Sequence, residues 1–412
     1  MRYCYRFILS LCIVVSFFTP LQAQSTFPSV TWSKAQNLSS VLPTDAYELS
    51  GLYWNDSKKQ LFIVCDGGKL IILSLNTSTN TFSLTANINN MDSPEGITQV
   101  DNTTNEFYTI DEGSYQIRKY GLATNYATVT LMNSWNILSS PSPMTDTGNT
   151  GPEGITFVPD WFLKRIGFVS SVTGKTYSST KGMNGLIFIA HQSGGYVWVF
   201  DLNPAVSDDF LYVGKYKTAE SESCDVAFDY TTGLMYILHN TGSNYLEVTD
   251  LSTTVTKGEY TFNTSIEYLV PNPSSGSKNV EGFALSPKYS NNSQVNAWFC
   301  RDVSSSSESA DCLRWFYPFN STGENIVVSG VKETVDNSDF VITISQSKLK
   351  IQYLKNDINN IDITLYAANG QKILTRKNRA LPYTEYISLK GVCYISISKN
   401  NHILVSKKIL AR

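Results

Sequence analysis

The chain has 412 residues and a formal net charge of -3, from 32 Lys and Arg against 35 Asp and Glu. That length allows two or three domains and a large core, while so small a charge, with no block of like charges, excludes electrostatic capture of nucleic acid. Aromatic residues at 12%, with polar content dominated by Ser, Thr and Asn, favour strands and turns.

The first 23 residues read as a signal peptide. Arg2 and Arg6 precede an apolar run, Phe7 to Phe18, and Leu21-Gln22-Ala23 offers a small residue for cleavage. The run is too short to span a bilayer, and no later stretch is long and apolar enough. The mature chain is therefore expected to be exported, soluble and monomeric, with no transmembrane segment. Five cysteines remain after cleavage: Cys65, Cys224, Cys300, Cys312 and Cys393. Cys300 and Cys312 flank a Ser-rich loop between two predicted strands and are candidates for a disulfide in an oxidising compartment.

From residue 24 to 335 one pattern recurs. Pro94-Glu95-Gly96-Ile97 returns as Pro152-Glu153-Gly154-Ile155 and Val280-Glu281-Gly282-Phe283, with looser copies at Glu48 to Leu52 and Cys224 to Phe228. Each copy sets a carboxylate before a short apolar strand. The acids fall at 48, 95, 153, 225 and 281, a repeat long enough for about four strands per unit. The expected fold is all-β: a five-bladed propeller, or alternatively a six-bladed one, followed by a small sandwich. Within unit one, Leu49 to Trp54, Leu61 to Cys65, Lys69 to Ser74 and Thr81 to Ile88 alternate and are separated by turn residues. A strand at 30–38 or 325–330 is expected to complete the last blade, since an open ring leaves an exposed edge. Unit three carries an insertion, 159–185, that reads as a lid or a disordered loop. Residues 336–412 break the repeat and read as a small β-sandwich.

Antiparallel neighbours bring the start of each first strand and the end of each second strand to one face. Two rings follow. Glu48, Glu95, Glu153, Asp225 and Glu281 form the first, and an all-oxygen ring of this kind suits Ca²⁺. Asp66, Asp111, His191, His239 and Arg301 form the second. Here Asp66 and Asp111 are candidate ligand-binding residues, His191 and His239 candidate bases, and Arg301 a candidate anion clamp. Alternatively, each carboxylate accepts backbone N–H bonds from a neighbouring blade, and the histidines are ordinary loop residues. Asp201, Asp229 and Asp250 read as turn caps. No Gly-x-Ser-x-Gly, Walker loop, His-Glu-x-x-His or Cys-x-x-Cys occurs.

Glu48-Leu49-Ser50-Gly51-Leu52 with Phe62 to Gly68, Pro94-Glu95-Gly96-Ile97 with Thr109 to Glu112, and Val280 to Ala284 resemble the SdiA-regulated family of β-propellers. More loosely they resemble esterase-like phytases and gluconolactonase-type calcium propellers. The resemblance covers roughly residues 45–320. It implies one central Ca²⁺ held by a Glu, Asn and Asp set, although the sequence places no Asn there. Ile363 to Lys372, Gly391 to Ile397 and Val405 to Ile409 are similar to the type A sorting domain of the Bacteroidetes type IX secretion system. That likeness implies passage through the periplasm, type IX secretion machinery as a partner, and release or attachment at the cell surface. Two functions follow as expectations. One is a Ca²⁺-dependent hydrolase of phosphoester, ester or lactone substrates. The other is a surface protein that binds a glycan or other small polar ligand.

Overall fold

The computed structural model describes residues 25–411 except 274, 291–292, 305–307, 325–339, 346–347, 355–358, 369, 388–390 and 400–401. The leader lies outside the described residues. Twenty strands build five four-stranded antiparallel blades. Strand β1 (Gln36–Asn37) precedes blade one, which holds β2 (Leu49–Asn55), β3 (Gln60–Cys65), β4 (Lys69–Asn76) and β5 (Thr81–Ile88). Blade two holds β6 (Gly96–Thr98), β7 (Glu106–Asp111), β8 (Gln116–Leu122) and β9 (Val129–Asn136). Blade three holds β10 (Pro152–Pro159), β11 (Gly185–His191), β12 (Tyr196–Leu202) and β13 (Phe210–Lys217). Blade four holds β14 (Asp225–Asp229), β15 (Leu234–Asn240), β16 (Asn244–Thr256) and β17 (Glu259–Leu269). Blade five holds β18 (Val280–Leu285), β19 (Val295–Arg301) and β20 (Leu313–Phe319), and β1 pairs with β20 as its outermost strand.

The ring thus closes with five blades, through residues inside the expected 30–38 segment; 325–330 falls outside the described residues. The middle strands of each blade are buried on both faces, which explains the continuous apolar runs of β3 and β11, every residue of which is buried. Alternate side chains of a middle strand point to opposite neighbours. Leu61 and Ile63 pack against blade five, beside Trp298 and Trp315, whereas Phe62 and Val64 pack against Phe107 of blade two. Five apolar seams of this kind join the five blades in a circle.

The inner strands also touch. A Cβ on Gly96 would lie 2.5 Å from the Glu153 carbonyl oxygen, and one on Gly154 would lie 2.4 Å from Asp225 Cα. The glycine of the repeated Glu-Gly is therefore a close-approach device that lets neighbouring inner strands pack backbone to backbone. Gly51 and Gly282 share this register, and blade four carries Asp225 there instead, paired with Leu238 as Gly96 is with Ile110.

The insertion is ordered and is not a lid over the acidic end. It leaves β10 at the far end from Glu153, forms helix α1 (Asp160–Ile166), and buries Phe162, Leu163 and Phe168 against blades three and four. Asp201 pins it, accepting bonds from Tyr177 Oη (2.9 Å), Ser179 Oγ (2.8 Å) and the Thr180 N–H (2.7 Å). Asp229 and Asp250 cap turns as expected, accepting from the Thr231 and Ser252 N–H groups at 2.9 Å each. The expected Cys300–Cys312 disulfide is absent. Both thiols are free and buried, and they serve different acceptors: Cys300 the Leu49 carbonyl at 3.4 Å, Cys312 the Ser39 hydroxyl at 3.7 Å.

The C-terminal sandwich packs β21 (Phe340–Ser345), β22 (Lys348–Tyr353) and β25 (Tyr383–Tyr386) against β23 (Ile361–Ala367), β24 (Lys372–Arg379), β26 (Gly391–Lys399) and β27 (His402–Ala411). Its core includes Leu349, Ile351, Ile363, Leu365, Ile395 and Val405. Gly370 abuts the propeller so closely that a Cβ there would fall 1.6 Å from Trp161 Nε1 of α1.

Candidate functional site

Strand register decides which side chains share a level. Leu49 pairs with Cys65, Pro152 with His191 and Val280 with Arg301, and in each case a bulge follows before the glycine. Ser50 of blade one therefore stands level with Glu153 and Glu281. Glu48 sits two residues earlier, half-buried and with φ +56°. By the same register Cys65, not Asp66, matches His191 and Arg301.

That level is not the channel mouth. Its side chains turn into the seam with the preceding blade. Asp111 is buried, accepting from Arg118 Nη1 at 2.6 Å and from the Ser114 N–H at 2.7 Å, so it closes a turn and neutralises an arginine. His191 is 3% exposed, wedged between Tyr115 and Trp198, and neither ring nitrogen reaches a hydrogen-bond partner. Burial pushes its pKa down to about 4, against a weaker opposing effect of the Ser193 backbone. His239 has no exposed surface. Its Nδ1 lies 2.7 Å from the Glu222 carbonyl and its Nε2 lies 3.0 Å from Glu247 Oε2. Both neighbours present oxygen acceptors, which fix the ring between blade four's inner loop and β16. Arg301 is 1% exposed and donates to the Asp311 and Ser277 carbonyls at 3.0 and 2.5 Å. The two expected bases and the expected anion clamp are thus packed inside the blades, away from any bound substrate.

The residues one position later, Asp66, Glu112, Gln192, Asn240 and Asp302, form the true mouth, and most reach toward the inner strand of the next blade. Asp66 lies against Glu95, and Glu112 against Glu153. The Asn240 amide donates to Asn279 Oδ1. Asn279 Nδ2 in turn donates to Glu281 Oε1 at 2.7 Å and Asp302 Oδ2 at 3.2 Å. Asp302 and Asp66 both act on Glu48. Asp225 departs from the pattern. Its two oxygens accept the Val226 and Phe283 N–H groups at 2.8 and 2.7 Å, so it staples blade four to blade five as a structural carboxylate.

Burial, with mutual repulsion second, sets the chemistry. It pushes Glu95 up to about 9, where Asp66 adds to the effect, and Glu281 up to about 8, where Asp302 adds to it. Glu153, 7% exposed, is raised well above the ordinary carboxylate range by burial and then by Glu95 and Glu281. The charges acting most strongly on these three glutamates are acidic. Water, protons or a cation must answer them. The all-oxygen donor set has the chemistry Ca²⁺ requires, and Asn240 and Asn279 supply the amides that the sequence did not place. The spacing does not follow suit: among the described residues, no three His, Cys, Asp or Glu side chains converge closely enough to hold a metal ion. At its other end the channel narrows to a cavity of about 40 Å³ lined by Leu52, Ile97, Thr156, Val226 and Ala284, room for a water or two.

Glu112, Asp302, Asn240, Asn279 and Ser50 were not singled out by sequence. For Glu112, Asn240 and Asp302 the available signal was a polar residue directly after a second-ring position.

No helix among the described residues is long and apolar enough to cross a membrane. No family model matches the chain. No curated protein matches it. Among solved structures it is similar to the crystal structure of Saccharomyces cerevisiae Sqt1, at 8% identity over 81% of this chain and 84% of that one, with a TM-score of 0.30. At that score the likeness is too loose to bear on function.

Proposed function

We propose that this chain is an exported surface protein whose propeller binds a positively charged ligand at its acidic channel mouth. One observation carries the reading: Glu95, Glu153 and Glu281, backed by Asp66, Glu112 and Asp302, crowd a partly desolvated mouth where the groups acting on one another are all carboxyls, so a cation can take the place of the protons that burial holds there. Binding is favoured over hydrolysis because His191, His239 and Arg301 are inside the blades, out of reach of anything in the channel. A neutral glycan would bring hydroxyl donors but would not displace those protons. Export rests on the leader pattern of residues 1–23, and sorting by a type IX system rests on the likeness of residues 336–412 to such modules.

A second reading, a Ca²⁺ site, rests on the all-oxygen donor set. It requires the carboxylates to draw together from the spacing described above. Calorimetric titration of the mature protein with a panel of inorganic and organic cations tests both readings, beside Glu95→Gln/Glu153→Gln. Binding that the double variant loses supports the cation site. Failure of every cation to bind the wild type overturns it.

A further inference from the structure

The sandwich sheet made by β24, β23, β26 and β27 has an outer face that is covered rather than wet. Ile363, Leu365, Ile395 and Ile397 point into the sandwich core, so the alternate residues of β23 and β26 leave by the opposite face. Tyr366 and Tyr394 stand opposite each other on that face, and both are half-buried. Burial raises both phenols, Tyr394 up to about 12. One rung further on, Thr375, Thr364, Ser396 and Ser406 run in register across the four strands. Ser406 is 7% exposed, and the Thr375 and Ser406 hydroxyls are buried with no hydrogen-bond partner. A hydroxyl on an open sheet face would keep its water.

The propeller end opposite the acidic mouth lies against this face. Gly370, in the turn between β23 and β24, abuts Trp161 of α1, the helix that leaves the far end of β10. Tyr394 is within electrostatic reach of Asp229, the last residue of β14, and of Tyr289. Trp161, Asp229 and Tyr289 come from blades three, four and five, and they sit where the inner strands end, whereas the acids sit where those strands begin. Asp229 and Tyr230 line the cavity of about 40 Å³ in which the channel narrows. Tyr289 Oη lies 3.1 Å from Tyr230 Oη and donates to Asp56 Oδ2 at 2.5 Å, which carries the rim on from blade four to blade one.

We propose that the C-terminal sandwich is seated as a plug on the far end of the propeller, by the Tyr366 and Tyr394 face of its four-stranded sheet, and closes the channel there. The channel is then a blind pocket, and a ligand enters and leaves by the acidic mouth alone. The seated face is phenols and hydroxyls rather than a large apolar patch, and intrachain interfaces of that kind favour relative motion. Lifting the sandwich turns the pocket into an open passage. The inference holds whatever the mouth binds.

The test combines small-angle X-ray scattering with hydroxyl-radical footprinting of the full mature protein, wild type beside Tyr394→Glu and Gly370→Asn. Tyr394→Glu sets a carboxylate near Asp229. Gly370 has φ +81°, which Asn tolerates, so Gly370→Asn keeps the turn and drives a side chain into Trp161. The expected result is one compact particle for the wild type and a larger maximum dimension for both variants. Oxidation of Trp161, Tyr366 and the cavity residue Tyr230 should rise several-fold in both variants, while Tyr386, already 74% exposed, should not change. Circular dichroism shows whether each variant is folded, and where one is not, the wild-type scattering and footprint decide. Two separate bodies in wild-type scattering, or wild-type Trp161 and Tyr366 as reactive as Tyr386, overturn the seating, as do folded variants that scatter and react like the wild type. A lifted sandwich that leaves Tyr230 unchanged overturns the closure of the channel.

Discussion

Replacing Glu281 by Gln isolates the cost of burying the acidic ring. Burial, reinforced by Asp302, raises Glu281 from 4.5 to about 8, against the lowering effect of Asn279. The folded state therefore holds a proton that the unfolded state releases above pH 4.5, so folding stability falls as pH rises from about 4.5 to about 8. Each unit in that window costs up to about 1.4 kcal/mol. At pH 7 the sum is on the order of 3 kcal/mol, an upper figure because side chains relax and water enters. Glutamine keeps the shape and can still accept the Asn279 Nδ2 bond, 2.7 Å long in the wild type, but does not titrate. The variant should melt within a degree or so of wild type at pH 5 and roughly 6 °C higher at pH 7. Thermal unfolding of both proteins across pH 5–8, in buffers free of amines and divalent cations, checks this. Parallel stability curves for the two proteins, or a variant less stable at pH 8, would refute the claim that Glu281 sits in an uncompensated acidic mouth.

Further outcomes follow from the packing. His191→Phe should be tolerated or should stabilise by up to about 1 kcal/mol in denaturant melts, because it removes two unpartnered buried nitrogens. It should also remove a loss of wild-type stability as pH falls from 6.5 toward 4, the window in which the unfolded imidazole takes up a proton and the folded one does not. His239→Phe should cost about 1–3 kcal/mol in the same assay, since it removes the Nε2 partner of the fully buried Glu247. Pairing it with Glu247→Gln should recover part of that loss. Gly154→Ala should cost about 2 kcal/mol or more, because its methyl would sit 2.4 Å from Asp225 Cα.

Five copies of the acid–strand pattern made the propeller legible, along with most strands of blades one and two, because alternating apolar runs between Gly, Asn and Asp turns are a direct imprint of a buried sheet. Outer strands such as β13 and β17 carry a weaker imprint: one face meets solvent and Phe210, Tyr216 and Phe262 are spaced among polar residues. The mouth was misassigned by one or two residues. Glu48 looks like the acid of blade one, but the bulge between Leu49 and Gly51 sets Ser50 at that level, and an extra residue in a bulge leaves no mark in a linear repeat. The two histidines do share a register, as their spacing suggested. Their direction depends on which face of the strand end they leave, and a one-residue shift reverses that. Asp66 and Glu112 face the neighbouring acids for the same reason that His191 does not.

The pairing of Gln36 and Asn37 with Trp315 and Arg314 has a consequence for the order in which this protein matures. Trp32 Nε1 bonds Asp311, 279 positions away, and Trp54 stacks on Trp298 at 4.5 Å. Blade one is made early, yet the wall formed by its Leu49, Trp54 and Leu61 has nothing to cover it until blade five arrives. Domains can begin to form during synthesis from the N-terminal side, but a ring of this kind finishes only after its last sheet is present. A chain threaded across a membrane end first would therefore carry an open, sticky flank for nearly the whole passage. Holding it unfolded, or shielding that flank, becomes the transit machinery's task.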